Sequence, residues 1–150
     1  MKGLARPRVV LVTRPTPLEL LRDRHGTAGQ ARFFLESRRQ NIAEAERIHE
    51  RIMDAVAHVD TAVPHDQRRT RVKREDLDRF VFEPQDIVVI VGQDGLVANA
   101  AKYLTGQLVV GVNPDADQYD GVLCRHRPSE FATVLRWILS GSPKSHGQYK

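Results

Sequence analysis

The chain has little of what usually marks a redox, metal or stacking site: one cysteine, one tryptophan, three tyrosines and five phenylalanines in 150 residues. The lone Cys124 has no partner for an internal disulfide and suits a reducing compartment. Six histidines, at 25, 49, 58, 65, 126 and 146, show no paired ligand spacing, and Cys124 with His126 lacks the two further ligands that zinc needs. No protein metal site is therefore assigned. Long apolar runs are also missing. The N-terminal MKGLARPRVVLVTRP holds only Val9 to Val12, too few residues for a signal peptide or a membrane span, so the expectation is a cytoplasmic protein without membrane contact. There is no internal repeat.

What is present is one ordinary domain's worth of chain, 17.0 kDa, with 23 Lys and Arg against 19 Asp and Glu. The excess of +4 makes phosphate-bearing partners worth weighing, nucleic acid included. The basic run Arg68, Arg69, Arg71, Lys73 and Arg74 is the densest cluster. Alternation would put Arg69, Arg71 and Lys73 on one side of a strand, where a solvated face explains them most simply. No aromatic residue is interleaved with them, which speaks against a single-strand nucleic-acid platform.

The organising stretch is DIVVIVGQDGLVA, Asp86 to Ala98. Ile87 to Val91 is a β-branched run suited to a strand buried on both faces. Gly92, Gln93, Asp94 and Gly95 are expected to form a polar loop, and Leu96 to Leu104 a helix. Such a helix start offers unpaired N–H groups and the positive end of a dipole to an anion. The simplest use of Asp94 is as a helix cap.

Upstream, Val9 to Thr13 predicts a short central strand ended by Arg14, Pro15, Thr16 and Pro17. Leu18 to Gln40 reads as a helical turn, a break at His25, Gly26 and Thr27, and a short helix over Gln30 to Arg38. Asn41 then caps the clearest helix, in which Ile42, Ala45, Ile48, Ile52, Val56 and Val59 recur every three or four residues. Asp60 to Asp66 is expected as a loop, Arg69 to Lys73 as a short or edge strand, and Glu75 to Phe80 as one helical turn. Gln107 to Asn113 predicts a strand, the polar run from Asp115 to Asp120 a turn, and Gly121 to Cys124 a short extended piece. Pro128 and Ser129 start a last helix with Phe131, Val134, Leu135, Ile138 and Leu139 buried, and Trp137 beside that stripe faces core or a partner. Residues 1–139 would form the domain and 140–150 a flexible tail. Strands alternating with helices imply an α/β domain with a mainly parallel sheet. Ligands in such sheets bind beyond the carboxyl ends of strands, where Gly92 to Gly95 would lie and where Tyr119 and Asp120 could line the mouth.

The segments VVIVGQDGLVANAAKYL and VVGVNP resemble the NAD kinase family and its branch of predicted sugar kinases. That group carries a GGDG loop after a hydrophobic strand and a G-[IV]-N strand further on, and the similar order covers roughly Arg8 to Asn113. The resemblance implies a Rossmann-like three-layer sandwich, the N-terminal domain of an NAD kinase-like fold. It implies ATP, Mg²⁺ and NAD as ligands, NADP as product, and Asp94 as the residue that orients or deprotonates the acceptor hydroxyl. Gly92, Gln93 and Gly95 would form the phosphate-binding loop, and Asn113 would lie beside the nucleotide. Homo-oligomers are usual in the family. Three departures stand out. Gln93 replaces the second glycine, with strain expected if its φ were positive. Leu96 replaces a hydroxyl residue, and the residues from Pro114 to Gly121 do not follow the family's pattern. The family's β-rich C-terminal domain is also absent from the sequence, so this chain alone is expected to be inactive. The alternative function is a non-catalytic, degenerate kinase-like module that binds a nucleotide or a protein partner.

Overall fold

β-Branched runs without polar interruption become the centre of the sheet, as hydrophobic burial requires. The computed structural model describes residues 7–25, 29–30, 33 and 42–141. Four strands, β1 (Arg8–Thr13), β2 (Arg68–Lys73), β3 (Ile87–Val91) and β4 (Leu108–Val112), lie in the order β2-β1-β3-β4. All three pairings are parallel, with Val9 opposite Ile87 and Ile87 opposite Leu108. Every residue of β3 is buried, whereas β2 at the edge buries only Val72. That difference follows from charge, because an edge strand leaves its arginines in water.

Among the described residues the helices are α1 (Pro17–His25), α2 (Ile42–Ala62), α3 (Asp94–Ala101) and α4 (Phe131–Leu139). Short 3₁₀ turns occupy Arg74–Arg79 and Pro128–Glu130. Period-two alternation sends successive strand residues to opposite layers. Val9, Leu11, Val89 and Val91 pack with Ala55, Val56 and Val59 of α2 and with Phe131, Val134 and Leu135 of α4. Val10, Val12, Val88 and Ile90 pack on the other face with Leu77, Leu96 and Ala100. Each fully buried Val or Leu of these layers contributes about 1.5–3 kcal/mol. The result is an α/β three-layer sandwich of Rossmann-like type.

Away from the strand ends that carry the loops, Asp86 is buried and accepts two bonds from Arg8, Nε to Oδ1 at 2.9 Å and Nη2 to Oδ2 at 2.7 Å. Its Oδ2 also accepts the Glu83 N–H at 2.8 Å, so the entry to β3 is tied to the start of β1.

The structure differs from the sequence reading in three places. Helix α2 runs through Ala62, so only the short segment before Arg68 is loop where Asp60 to Asp66 was expected. The apolar stripe had already reached Val59, and Val63 beyond the helix is buried in the same core. Helix α3 begins at Asp94, which shortens the expected four-residue loop to Gly92 and Gln93. A carboxylate in a first turn is favoured by the helix dipole, and this makes Asp94 and Gly95 helical. Gly121 to Cys124 is bent coil without strand pairing; the nearby bridge joins Val112 to His126 instead. Of the two placements expected for Trp137, core or partner-facing, its 46 % exposure on α4 excludes the core. The expected Gln30 to Arg38 helix lies largely outside the described residues, as do the Asn41 cap and positions 142–150 of the tail.

Candidate functional site

Strand order creates the site. The chain leaves β1 towards β2 on one side of the sheet, and it leaves the neighbouring β3 towards β4 on the other. The two connections diverge and open a crevice beyond the strand ends, the place where open α/β sheets bind ligands. A cavity of about 270 Å³ occupies it. Arg14 and Pro15 enter from the end of β1, Gly92 and Gln93 from the end of β3, and Asn113 from the end of β4, while Leu20 and Ile48 supply apolar walls. A second cavity of about 280 Å³ adjoins Asp94, Gly95, Asp120 and Gly121, and both cavities are lined by Gln93, Asn113 and Tyr119. Thus Gly92, Gln93 and Asn113 meet at the crevice, whereas Asp94 and Gly95 face its neighbour.

The turn between β3 and α3 is unstrained. Gln93 has φ −106° and ψ 172°, ordinary extended backbone, so the side chain at this position carries no conformational penalty. It is the residue before the helix, and its side chain makes no capping bond. Gly92 is held by its N–H to the Val112 carbonyl at 3.0 Å. A β-carbon there would meet the flexible end of Leu96 at 3.1 Å. Leu96 is 1 % exposed and belongs to the core, so where the resembling family has a hydroxyl this chain has a packing residue.

Gly95 is exposed, and a β-carbon on it meets nothing within 4 Å. Its replacement by alanine in the first turn of α3 should stabilise the fold by up to about 1 kcal/mol, read as a raised midpoint in urea. If a phosphate passes close to this backbone, the same variant loses ligand affinity while gaining stability. A variant that binds and melts like the parent would remove Gly95 from the site.

Asp94 is engaged. Its Oδ1 accepts the backbone N–H groups of Cys124 at 2.9 Å and Leu123 at 3.0 Å, and its Oδ2 accepts that of Val122 at 3.0 Å. The carboxylate therefore clasps the 122–124 segment to the start of α3. These bonds, that from Cys124 foremost, hold its pKa below the usual carboxylate range against a smaller opposing effect of desolvation. Beneath it the Cys124 thiol is pushed up to about 12 by burial and then by the Asp94 charge, so this cysteine is an inert packing residue.

Asn113 is also structural at its tip. Its Nδ2 donates to the Tyr119 carbonyl at 2.8 Å and its Oδ1 accepts the Asp115 N–H at 3.0 Å, folding the 113–119 loop upon itself. Asp115 is buried and receives both terminal nitrogens of Arg47 at 3.1 Å, with Arg51 Nε at 3.4 Å. Arg51 and Arg127 both reach Asp117, at 3.0 and 2.8 Å. Arg127 first, and Arg51 second, hold the Asp117 carboxyl below its ordinary range. Sequence reasoning missed Arg47, Arg51, Asp115 and Asp117. The available signal was the four-residue spacing of Arg47 and Arg51 on the polar side of a helix, but their partners lie more than sixty residues away.

Among the described residues no group of three or more His, Cys, Asp or Glu could hold a metal ion, and no helix is long and apolar enough to cross a membrane. No family model matches the chain, and the curated proteins contain no significant match to it.

Proposed function

We propose that the chain is the nucleotide-binding α/β domain of an NAD kinase-like phosphotransferase, acting on the 2′-hydroxyl of NAD or on a sugar-type hydroxyl with ATP as donor. The observation that carries this reading is the crevice at the divergence of β1 and β3, where Arg14, Gly92, Gln93 and Asn113 meet beside apolar walls. A nucleoside suits such walls. Its phosphates have the uncapped first turn of α3 to approach, where backbone N–H groups and the helix dipole favour negative charge. Mg²⁺ would arrive with the ATP phosphates and neutralise their charge.

In this reading Asp94 positions rather than deprotonates. An ionised carboxylate offers about four acceptor directions, and three are taken by the 122–124 backbone, which leaves capacity for one hydroxyl. A lowered pKa makes the group a weak base. Phosphoryl transfer needs little proton abstraction before the transition state, and depends mainly on alignment and charge neutralisation. Orienting the acceptor hydroxyl is thus a sufficient task for Asp94.

The engaged state of Asp94 and the packing of Leu96 equally favour a second reading, a degenerate module that binds a nucleotide without transferring phosphate. Thermal unfolding in the presence of NAD, NADP or ATP with Mg²⁺ tests the shared premise. Ligand at 100 times its dissociation constant should stabilise by about 2.7 kcal/mol, a rise of roughly 5–10 °C in Tm. No shift with any of the three at millimolar concentration rejects both readings. A shift without ATP-dependent transfer to NAD or a sugar by the complete natural protein selects the binding module.

A further inference from the structure

The described arginines differ in what their guanidinium groups meet. Arg8, Arg47, Arg51, Arg69 and Arg127 spend their guanidinium groups on carboxylates or backbone carbonyls. Arg14, Arg22 and Arg71, together with Lys73, make no hydrogen bond or ion pair to another described residue. These four converge on one cavity of about 320 Å³. The parallel register explains the convergence. Lys73 lies opposite Thr13, so Arg14 follows directly beside it, and Arg71 stands two residues back on the same side of β2. Arg22 comes from the next turns of α1. Like charges that make no ion pair with a described carboxylate repel one another, and an anion between them relieves that repulsion.

The cavity is not uniformly basic, because Glu19, Asp23 and Glu75 also line it. Glu19 is committed to the start of α1, where its Oε1 accepts the Thr16 N–H at 2.9 Å. Asp23 and Glu75 oppose a long polyanion laid across the edge, so a compact anion fits better than a nucleic-acid backbone. This cavity and the crevice share Arg14, Pro15, Leu20 and Ile52, so an apolar chamber opens into a cationic one.

We propose that Arg14, Arg22, Arg71 and Lys73 form a second anion site, beyond the ends of β1 and β2, that takes the phosphate or diphosphate group of a ligand whose body lies in the crevice. The site is separate from the turn between β3 and α3, so a ligand held here points its phosphate towards β2 and its body towards Asn113, and the turn at α3 is left to the phosphates of a second ligand. The anion site stands on its own geometry, whereas the identity of the body rests on the nucleotide reading above.

Inorganic pyrophosphate is the probe that isolates it. Isothermal titration at low salt should show binding to the unmodified chain that weakens as salt screens the charges. The R71Q/K73Q double variant should lose at least about tenfold in affinity, the loss expected for removing charge-assisted contacts to phosphate. Both residues are exposed, so the variant should fold, which its circular dichroism spectrum checks; R14Q tests the same site from the β1 side. A K102Q/R136Q variant, which removes two exposed cations elsewhere, should bind as the parent does. Absence of pyrophosphate binding at millimolar concentration, or an equal loss in the control, overturns the proposal. If pyrophosphate binds as described but no nucleotide does, the anion site stands and the nucleotide reading falls. If nucleotides bind and the R71Q/K73Q variant changes nothing, the reverse holds.

Discussion

The Asp94→Ala variant should melt several degrees below the parent and lose any phosphotransferase activity of the complete protein, while its Gly95→Ala neighbour melts no lower than the parent. Removing the carboxylate strips the 122–124 backbone N–H groups of their common acceptor, and the segment is then free to leave the start of α3. The N–H groups of exposed Val122 and Leu123 will find water while that of buried Cys124 loses its acceptor, so the loss is partial rather than a collapse of the sheet. Asp94→Asn separates charge from shape: it keeps one acceptor oxygen but presents a donor where a second oxygen stood.

The pH dependence of that stability has a defined sign. The folded protein lowers the Asp94 pKa below the unfolded value of about 3.9, so the unfolded chain binds the proton more readily. The contribution is fully present above the unfolded value. It is lost as pH falls from there through the lower folded value. Thermal scans from neutral to strongly acidic pH should therefore converge for the parent and Asp94→Asn at the acid end. Parallel curves, or equal melting points throughout, would show that the clasp contributes nothing to stability.

Alanine at Gly121 should act through volume alone. Its β-carbon would sit 2.2 Å from the Cys124 carbonyl oxygen and 3.3 Å from Asn113 Nδ2. At Gly111 the corresponding atom would lie 2.4 Å from the Leu123 carbonyl oxygen and 2.8 Å from the Cys124 α-carbon. Neither glycine has a positive φ, so the penalty comes from backbone pressed against backbone with no flexible end to yield. Each substitution should destabilise by about 1–3 kcal/mol, measured as a lower urea midpoint. Both push on the same segment, so their effects should sum to more than the double variant shows. A full-strength sum would mean that the two clashes relax independently, contrary to the shared contact with the 121–124 segment.

These two predictions concern positions that the sequence presents very differently. Asp94 stands in a loop-like GQDG and draws attention by itself. Gly111 and Gly121 look like any strand or turn glycine until the 121–124 segment is seen crossing the end of β4. The strands were legible because Val9 to Val12 and Ile87 to Val91 are β-branched runs that only a buried sheet can use, and α2 because its apolar residues keep helical spacing over 21 residues. The start of α3 was not, since Gln93, Asp94 and Gly95 are polar and suit a loop as well as a first helical turn.

By itself, then, the sequence determined the alternation of strands and helices, the central place of β1 and β3, and the presence of a glycine turn between a buried strand and a helix. These follow from local period and burial, which neighbouring residues encode. Only the tertiary structure decided what the polar side chains do. It turned Asp94 and Asn113 inward onto backbone and made Leu96 core. It paired Asp115 with arginines from a distant helix and brought Arg14, Arg22, Arg71 and Lys73 to one cavity without an ion pair among the described residues. A polar group's role depends on which donors and acceptors reach within about 3 Å of it, and for Asp94 and Asp115 those come from residues tens of positions away.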